Sequence, residues 1–163
     1  MRKETGFTLT EVLMTIVIVG ILSAVALPNY FRQMQRTRQN EAASVVANLQ
    51  TTIATYNDEF GITPSTWKDV NDISSVMTDE GPASSTDELD EAITLINGYY
   101  TLTRLKDESG STFTLIAEPT GDNDNNSEFN VMACIDLNTG ASDLRLGSQG
   151  DIDGAVEEDD LRC

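Results

Sequence analysis

The feature that most limits what this chain can fold into is an apolar run near its start. From Phe7 to Leu27 there are twenty-one residues and a single ionisable side chain, Glu11. Wound as an α-helix at about 1.5 Å per residue, the run measures roughly 30 Å, the hydrocarbon thickness of a bilayer. Arg2 and Lys3 stand just ahead of it. The positive-inside bias keeps that end cytoplasmic and puts the rest of the chain outside. An ordinary secretory signal would be cut after its apolar stretch, and Ala24-Val25-Ala26 has the small-residue pattern for such a cut. That reading leaves two things unexplained: the apolar run begins before Glu11, and the order Gly6-Phe7-Thr8-Leu9-x-Glu11 has no role in it.

Glu11 carries the chemistry. A carboxylate inside hydrocarbon costs about 2–3 kcal/mol near mid-bilayer and less towards the edge, so something must offset it. One reading is a glutamate in the first turn of a helix, favoured by the helix dipole. The other is pairing with a positive amine. Cleavage after Gly6 would create that amine on Phe7, about one helical turn from Glu11.

A basic leader, then glycine, phenylalanine and a glutamate four residues past the glycine–phenylalanine bond, at the mouth of a membrane-length helix, resembles the N-terminus of type IV pilins and pseudopilins. The resemblance is specific over residues 1 to about 35 and only architectural beyond. It implies that prepilin peptidase removes residues 1–6 as a leader, cutting between Gly6 and Phe7, and that Phe7 is then N-methylated. It also implies that Glu11 pairs with the Phe7 amine of its own or a neighbouring chain to register subunits in a filament. The implied fold class is α+β. A long helical stem, 7–60, has its transmembrane half at 7–27, and its second half packs on a four-stranded antiparallel sheet. Residues 61–163 form the globular head.

Charge supports that division. Up to residue 50 five basic residues face three acidic ones; from residue 51 five basic residues face twenty-four acidic ones, a net of −19. Such a head repels polyphosphate, which disfavours direct nucleic-acid binding. The absence of histidine removes His-dependent triads and His metal sites. The remaining Asp/Glu pairs are what an acidic surface supplies by chance, so no enzyme and no cofactor is expected.

Pro28 ends the apolar run and is read as a kink or local unwinding, with a plain helix stop as the bland alternative. A kink is favoured because helical spacing resumes at once: Phe31, Met34, Arg38, Ala42, Val45, Leu49, Ile53, Tyr56 and Phe60 form a stripe. Gln39 and Gln50 fall among the polar residues assigned to the opposite face. After Gly61 and Pro64, Thr66-x-x-Asp69 predicts a short helix with Trp67 and Val70 inward. Ser85-x-x-Glu88 predicts another with Leu89, Ala92, Ile93 and Ile96 inward, stopped by Asn97-Gly98. Strands are predicted at Tyr99–Leu105, Thr112–Ala117, Phe129–Asp136 and Ser142–Leu146.

Asp122, Asp124 and Asn126 imitate the start of a calcium loop, but its sixth position is Ser127 and its twelfth Ala133, which excludes an EF-hand. They remain weak candidates for a looser calcium site, as does the acidic stretch around Asp151–Gly154 and Glu157–Asp160; a solvated turn is the favoured reading. The two cysteines, Cys134 and Cys163, would pair after export. The resemblance implies a disulfide loop, 134–163, at this place, worth about 3–4 kcal/mol by chain entropy.

The resemblance then implies a type IV pilus subunit, major or minor, in filaments used for adhesion, twitching motility or DNA uptake. A pseudopilin of a type II secretion system is the alternative. Other pilin subunits, prepilin peptidase and an inner-membrane assembly platform are the implied partners. The implied location is the inner membrane before assembly, as a single-pass protein with a cytoplasmic N-terminus, and the cell surface after it.

Overall fold

A 52-residue helix, α1 (Leu9–Phe60), dominates the computed structural model of the chain. The structure describes residues 6–83, 88–105, 112–121, 127–150 and 152–163. The sequence-predicted leader residues 1–5, the capping Ser85, the calcium candidates Asp122, Asp124 and Asn126, and Asp151 lie outside them. Two structural units share α1: one up to Arg36, the other Thr37–Cys163.

In the second unit α1 presents Gln39, Ala42, Val46, Leu49 and Ile53, all buried, at alternating spacings of three and four. This is the stripe that a 3.6-residue period lays along one face. It passes through Val46 (0 % exposed), with Val45 only half-buried beside it. Gln39 belongs to the buried stripe, which corrects its sequence-based placement on the polar face. Gln50 is half-buried and likewise turned inward.

A second helix, α2 (Trp67–Ile73), starts where predicted. Thr66 caps it by accepting from the Asp69 N–H at 3.2 Å, while Asp69 accepts from the Thr66 N–H at 2.9 Å. This reciprocal pair satisfies two of the helix's orphan donors. Trp67 and Val70 are fully buried, and the indole N–H donates to the Glu91 carbonyl at 2.9 Å.

Among the described residues seven strands follow α2. β1 (Met77–Thr78) and β2 (Gly81–Pro82) form a small pair, and Met77 is exposed. The remaining five are β3 (Ile93–Thr94), β4 (Tyr100–Leu105), β5 (Thr112–Pro119), β6 (Val131–Asp136) and β7 (Ser142–Leu146). They pair in sequence order as one antiparallel meander. The architecture is α+β and pilin-like, with five strands in place of the expected four.

The extra strand replaces the second short helix. Ile93 and Thr94 are β-branched, and Asn97-Gly98, read from sequence as a helix stop, instead turns β3 back into β4. Gly98 sits at φ 67°, and its N–H donates to Leu95 O at 2.7 Å. Asn-Gly between apolar segments is the stronger hairpin signal. Ile96, expected inward, is 54 % exposed, and Ala92 is exposed too.

On one face of the sheet Leu102, Phe113, Leu115, Ala117, Val131, Ala133 and Ile135 join the α1 stripe and Trp67 in a single core. Alternate residues Thr114, Met132 and Cys134 are buried on the other side. Cys134 is joined there to Cys163, with a Cα–Cα distance of 6.0 Å.

Two glutamines bind helix to sheet. Gln39 Nε2 donates to the carbonyls of Asn130 (3.0 Å) and Gly147 (2.9 Å), and Gln50 Nε2 to those of Cys134 (2.7 Å) and Asp143 (3.0 Å). Cys134 and Asp143 are opposite residues of β6 and β7. Asn130 and Gly147 sit one step beyond that ladder, joined by their own backbone bond at 3.0 Å. Each carbonyl has two lone pairs, so the Gln39 contact adds to that bond without breaking it. A Cβ at Gly147 would collide with Glu128 O and lie 2.7 Å from Asn130 Oδ1, so only glycine fits.

Candidate assembly site on the stem

The first half of α1 is apolar on every side. Each large apolar residue from Phe7 to Phe31 is at least half exposed, from Val12 and Leu13 at 50 % to Phe7 at 90 %. Its most apolar stretch has a mean hydropathy of 2.3 and buries nothing within the chain. A helix that is apolar all round belongs in a bilayer or against other helices, since water makes no use of such a surface.

At the mouth of this helix Thr8 and Glu11 form a second capping box. Thr8 donates from its N–H (2.8 Å) and its hydroxyl (2.7 Å) to Glu11 Oε2, and Glu11 N–H donates to Thr8 Oγ1 at 3.3 Å. The arrangement satisfies donors that a helix N-terminus otherwise leaves open. Both side-chain bonds converge on one oxygen. Glu11 Oε1 has no hydrogen-bond partner among the described residues and stays available to a second donor. The first-turn bonds thus engage one oxygen of the carboxylate. Thr8-x-x-Glu11 is the same pattern that located α2, so this box was readable in the sequence and was overlooked there.

Pro28 lies inside α1, which continues past it to Phe60. A proline cannot donate to the carbonyl four residues back, here Ala24. One residue on, Asn29 Nδ2 donates to Val25 O at 3.2 Å, adding a side-chain bond to the weakened turn. Pro28 is therefore not a helix stop. Among the described residues, no group of three or more acidic or cysteine side chains could hold a metal ion.

The head's C-terminal segment is held by more than its disulfide. Buried Asn130 donates from Nδ2 to Val156 O (2.8 Å) and accepts the Val156 N–H on Oδ1 (2.7 Å), and Val156 is itself buried. This Asn130 clamp packs the acidic, glycine-rich stretch that follows β7's end.

A long helix whose first half is long and apolar enough to cross a bilayer, a capped lone carboxylate and a sheet packed on its second half make a pilin-like architecture. The prokaryotic N-terminal methylation motif matches residues 1–27. Type II secretion system core protein G of Vibrio cholerae is 35 % identical over 66 residues, covering 40 % of this chain and 45 % of its own. A fimbrial protein of Moraxella nonliquefaciens is 42 % identical over 55 residues, covering 34 % and 36 %. A fimbrial protein of Neisseria meningitidis is 34 % identical over 103 residues, covering 61 % and 55 %. Motif and relatives support the type IV pilin and pseudopilin family for this chain. The chain spans less than half the length of the first of these relatives, and no solved structure matches it significantly.

Proposed function

We propose that the chain is a structural subunit of a type IV pilus, polymerised through its apolar stem into a surface filament. The observation that carries this is the stem: fifteen large apolar side chains in solvent on one helix, with a single capped carboxylate at its mouth. Residues 1–6 are a leader that prepilin peptidase removes between Gly6 and Phe7, and Phe7 is methylated on its new amine. Residues 7–60 are the stem, with 7–27 in the inner membrane and the N-terminus cytoplasmic. Residues 61–163 are the head, and the chain moves from membrane to cell surface as the assembly platform draws it into the fibre.

Glu11 pairs with the Phe7 amine of a neighbouring subunit. In hydrocarbon an unpaired carboxylate is costly, so the pair selects the axial register at which the two charges meet. Pro28 lets the stem bend or stretch. The subunit has a mechanical role and no catalytic one.

The Vibrio and Aeromonas core protein G relatives favour a second reading, a type II secretion pseudopilin. The Cys134–Cys163 bridge favours the pilus, because the major pseudopilins that the chain resembles usually have a calcium loop there instead. Deleting the gene separates the two. Loss of sheared surface fibres with normal protein secretion supports the pilus reading. Loss of secretion with fibres intact supports the pseudopilin.

A further inference from the structure

Five large apolar side chains of the unit Thr37–Cys163 stand in solvent among its described residues: Phe60, Ile62, Met77, Ile96 and Tyr99. Three of these, Met77, Ile96 and Tyr99, line one cleft of about 260 Å³. Its walls are α1 from Arg38 to Thr52 and the segments 74–77 and 95–100. The Arg38 guanidinium lies 3.6 Å over the Tyr99 ring and braces that side. The volume falls below the roughly 300–1,000 Å³ usual for small-molecule pockets and suits one or two side chains. In a unit with six basic and twenty-five acidic residues, this lining holds one of each, Arg38 and Glu41, and is otherwise neutral.

A matching surface exists on the stem. Tyr30 and Phe31 are 64 % and 52 % exposed, with ring centroids 6.1 Å apart. They lie past Leu27, where the bilayer-length run ends, so lipid headgroups cover them only while the chain is in a membrane. Once the stem leaves the bilayer the two rings need another apolar surface. Exposed Arg32 and Arg36 follow directly, a basic collar on an aromatic knob. Its complement is an apolar cleft set in an acidic head. We propose that the cleft seats the Tyr30–Phe31 pair of a second copy of this chain, with that copy's Arg32 and Arg36 against the acidic surface around it. The inference rests on the subunit reading above and adds to it the specific contact between head and neighbouring stem.

The chain's only two cysteines are joined to each other, so engineered thiols report cleanly. Fibres of the double variant Phe31→Cys/Ile96→Cys, treated with a short bis-maleimide, should give a ladder of covalent oligomers on a denaturing gel. Either single variant should give monomer. Ile96→Glu, at an exposed position, should keep the membrane pool and the melting temperature while lowering fibre yield at least tenfold. Normal fibre yield with no ladder would overturn the contact and leave the pilus reading standing. A cross-link only to a different protein would also overturn it. Wild-type chain that enters no fibre would remove both.

Discussion

At the scale of single residues, three side chains have separable jobs. Glu11 is held by Thr8 through one oxygen, so its removal costs one helix cap, too little to prevent membrane insertion. Glu11→Ala should therefore reach the membrane at wild-type level and fall at least tenfold in sheared fibres; wild-type fibre yield would end its registering role. Gln39 is a different case. Replacing it with Leu keeps the volume but removes the side-chain donor to the Asn130 and Gly147 carbonyls, leaving Asn130 O only the Gly147 N–H, and leaves Gln149 without its acceptor. The loss should be about 2–4 kcal/mol, read as a lower melting temperature of the detergent-solubilised chain. Asp143 carries a pH signature. Burial raises its carboxyl, but the Arg145 side chain and the N–H groups of Leu144 and Arg162 lower it more, so it sits below the ordinary carboxylate range. With the folded value depressed, its contribution is complete above the unfolded value of about 4 and fades as pH falls through the folded value. Asp143→Asn should lower the melting temperature at pH 7 and converge with wild type near pH 2; a constant gap across that range would contradict the assignment.

At the scale of elements, legibility followed how local the signal was. The stem, the Thr66 cap of α2 and four of the sheet's strands could be read because each rests on spacing within a few residues. β3 could not, since Ile93 and Thr94 suit helix or strand and only pairing with Leu102 and Thr101 decides between them. Gln39 and Gln50 were misplaced because a polar residue on a buried stripe becomes favourable only when distant carbonyls meet it, here more than eighty residues away. The Asn130 clamp was hidden for the same reason. It makes a prediction at this scale. Reducing Cys134–Cys163 should cost about 3–4 kcal/mol yet leave Val156 protected from hydrogen exchange, because two bonds from the Asn130 side chain still hold its backbone. Reduced Asn130→Ala should lose that protection. Immediate loss in the reduced wild type would show that the bridge alone pins the tail.

At the scale of the whole molecule, a stem that water does not tolerate carries a head of strongly negative charge. In the proposed function, membrane and then fibre are the two settings in which the stem is covered and the head stays solvated. The proposed fibre contact depends on where the mature chain begins, because the amine proposed to meet Glu11 exists only if the bond after Gly6 is cut. Intact-mass and peptide mass spectrometry of fibres sheared from the cell surface reads that point directly. The account predicts a chain starting at N-methylated Phe7 with Cys134 linked to Cys163. A fibre protein that retains Met1–Gly6, or one that begins at Leu27 after a cut following Ala24-Val25-Ala26, would contradict it.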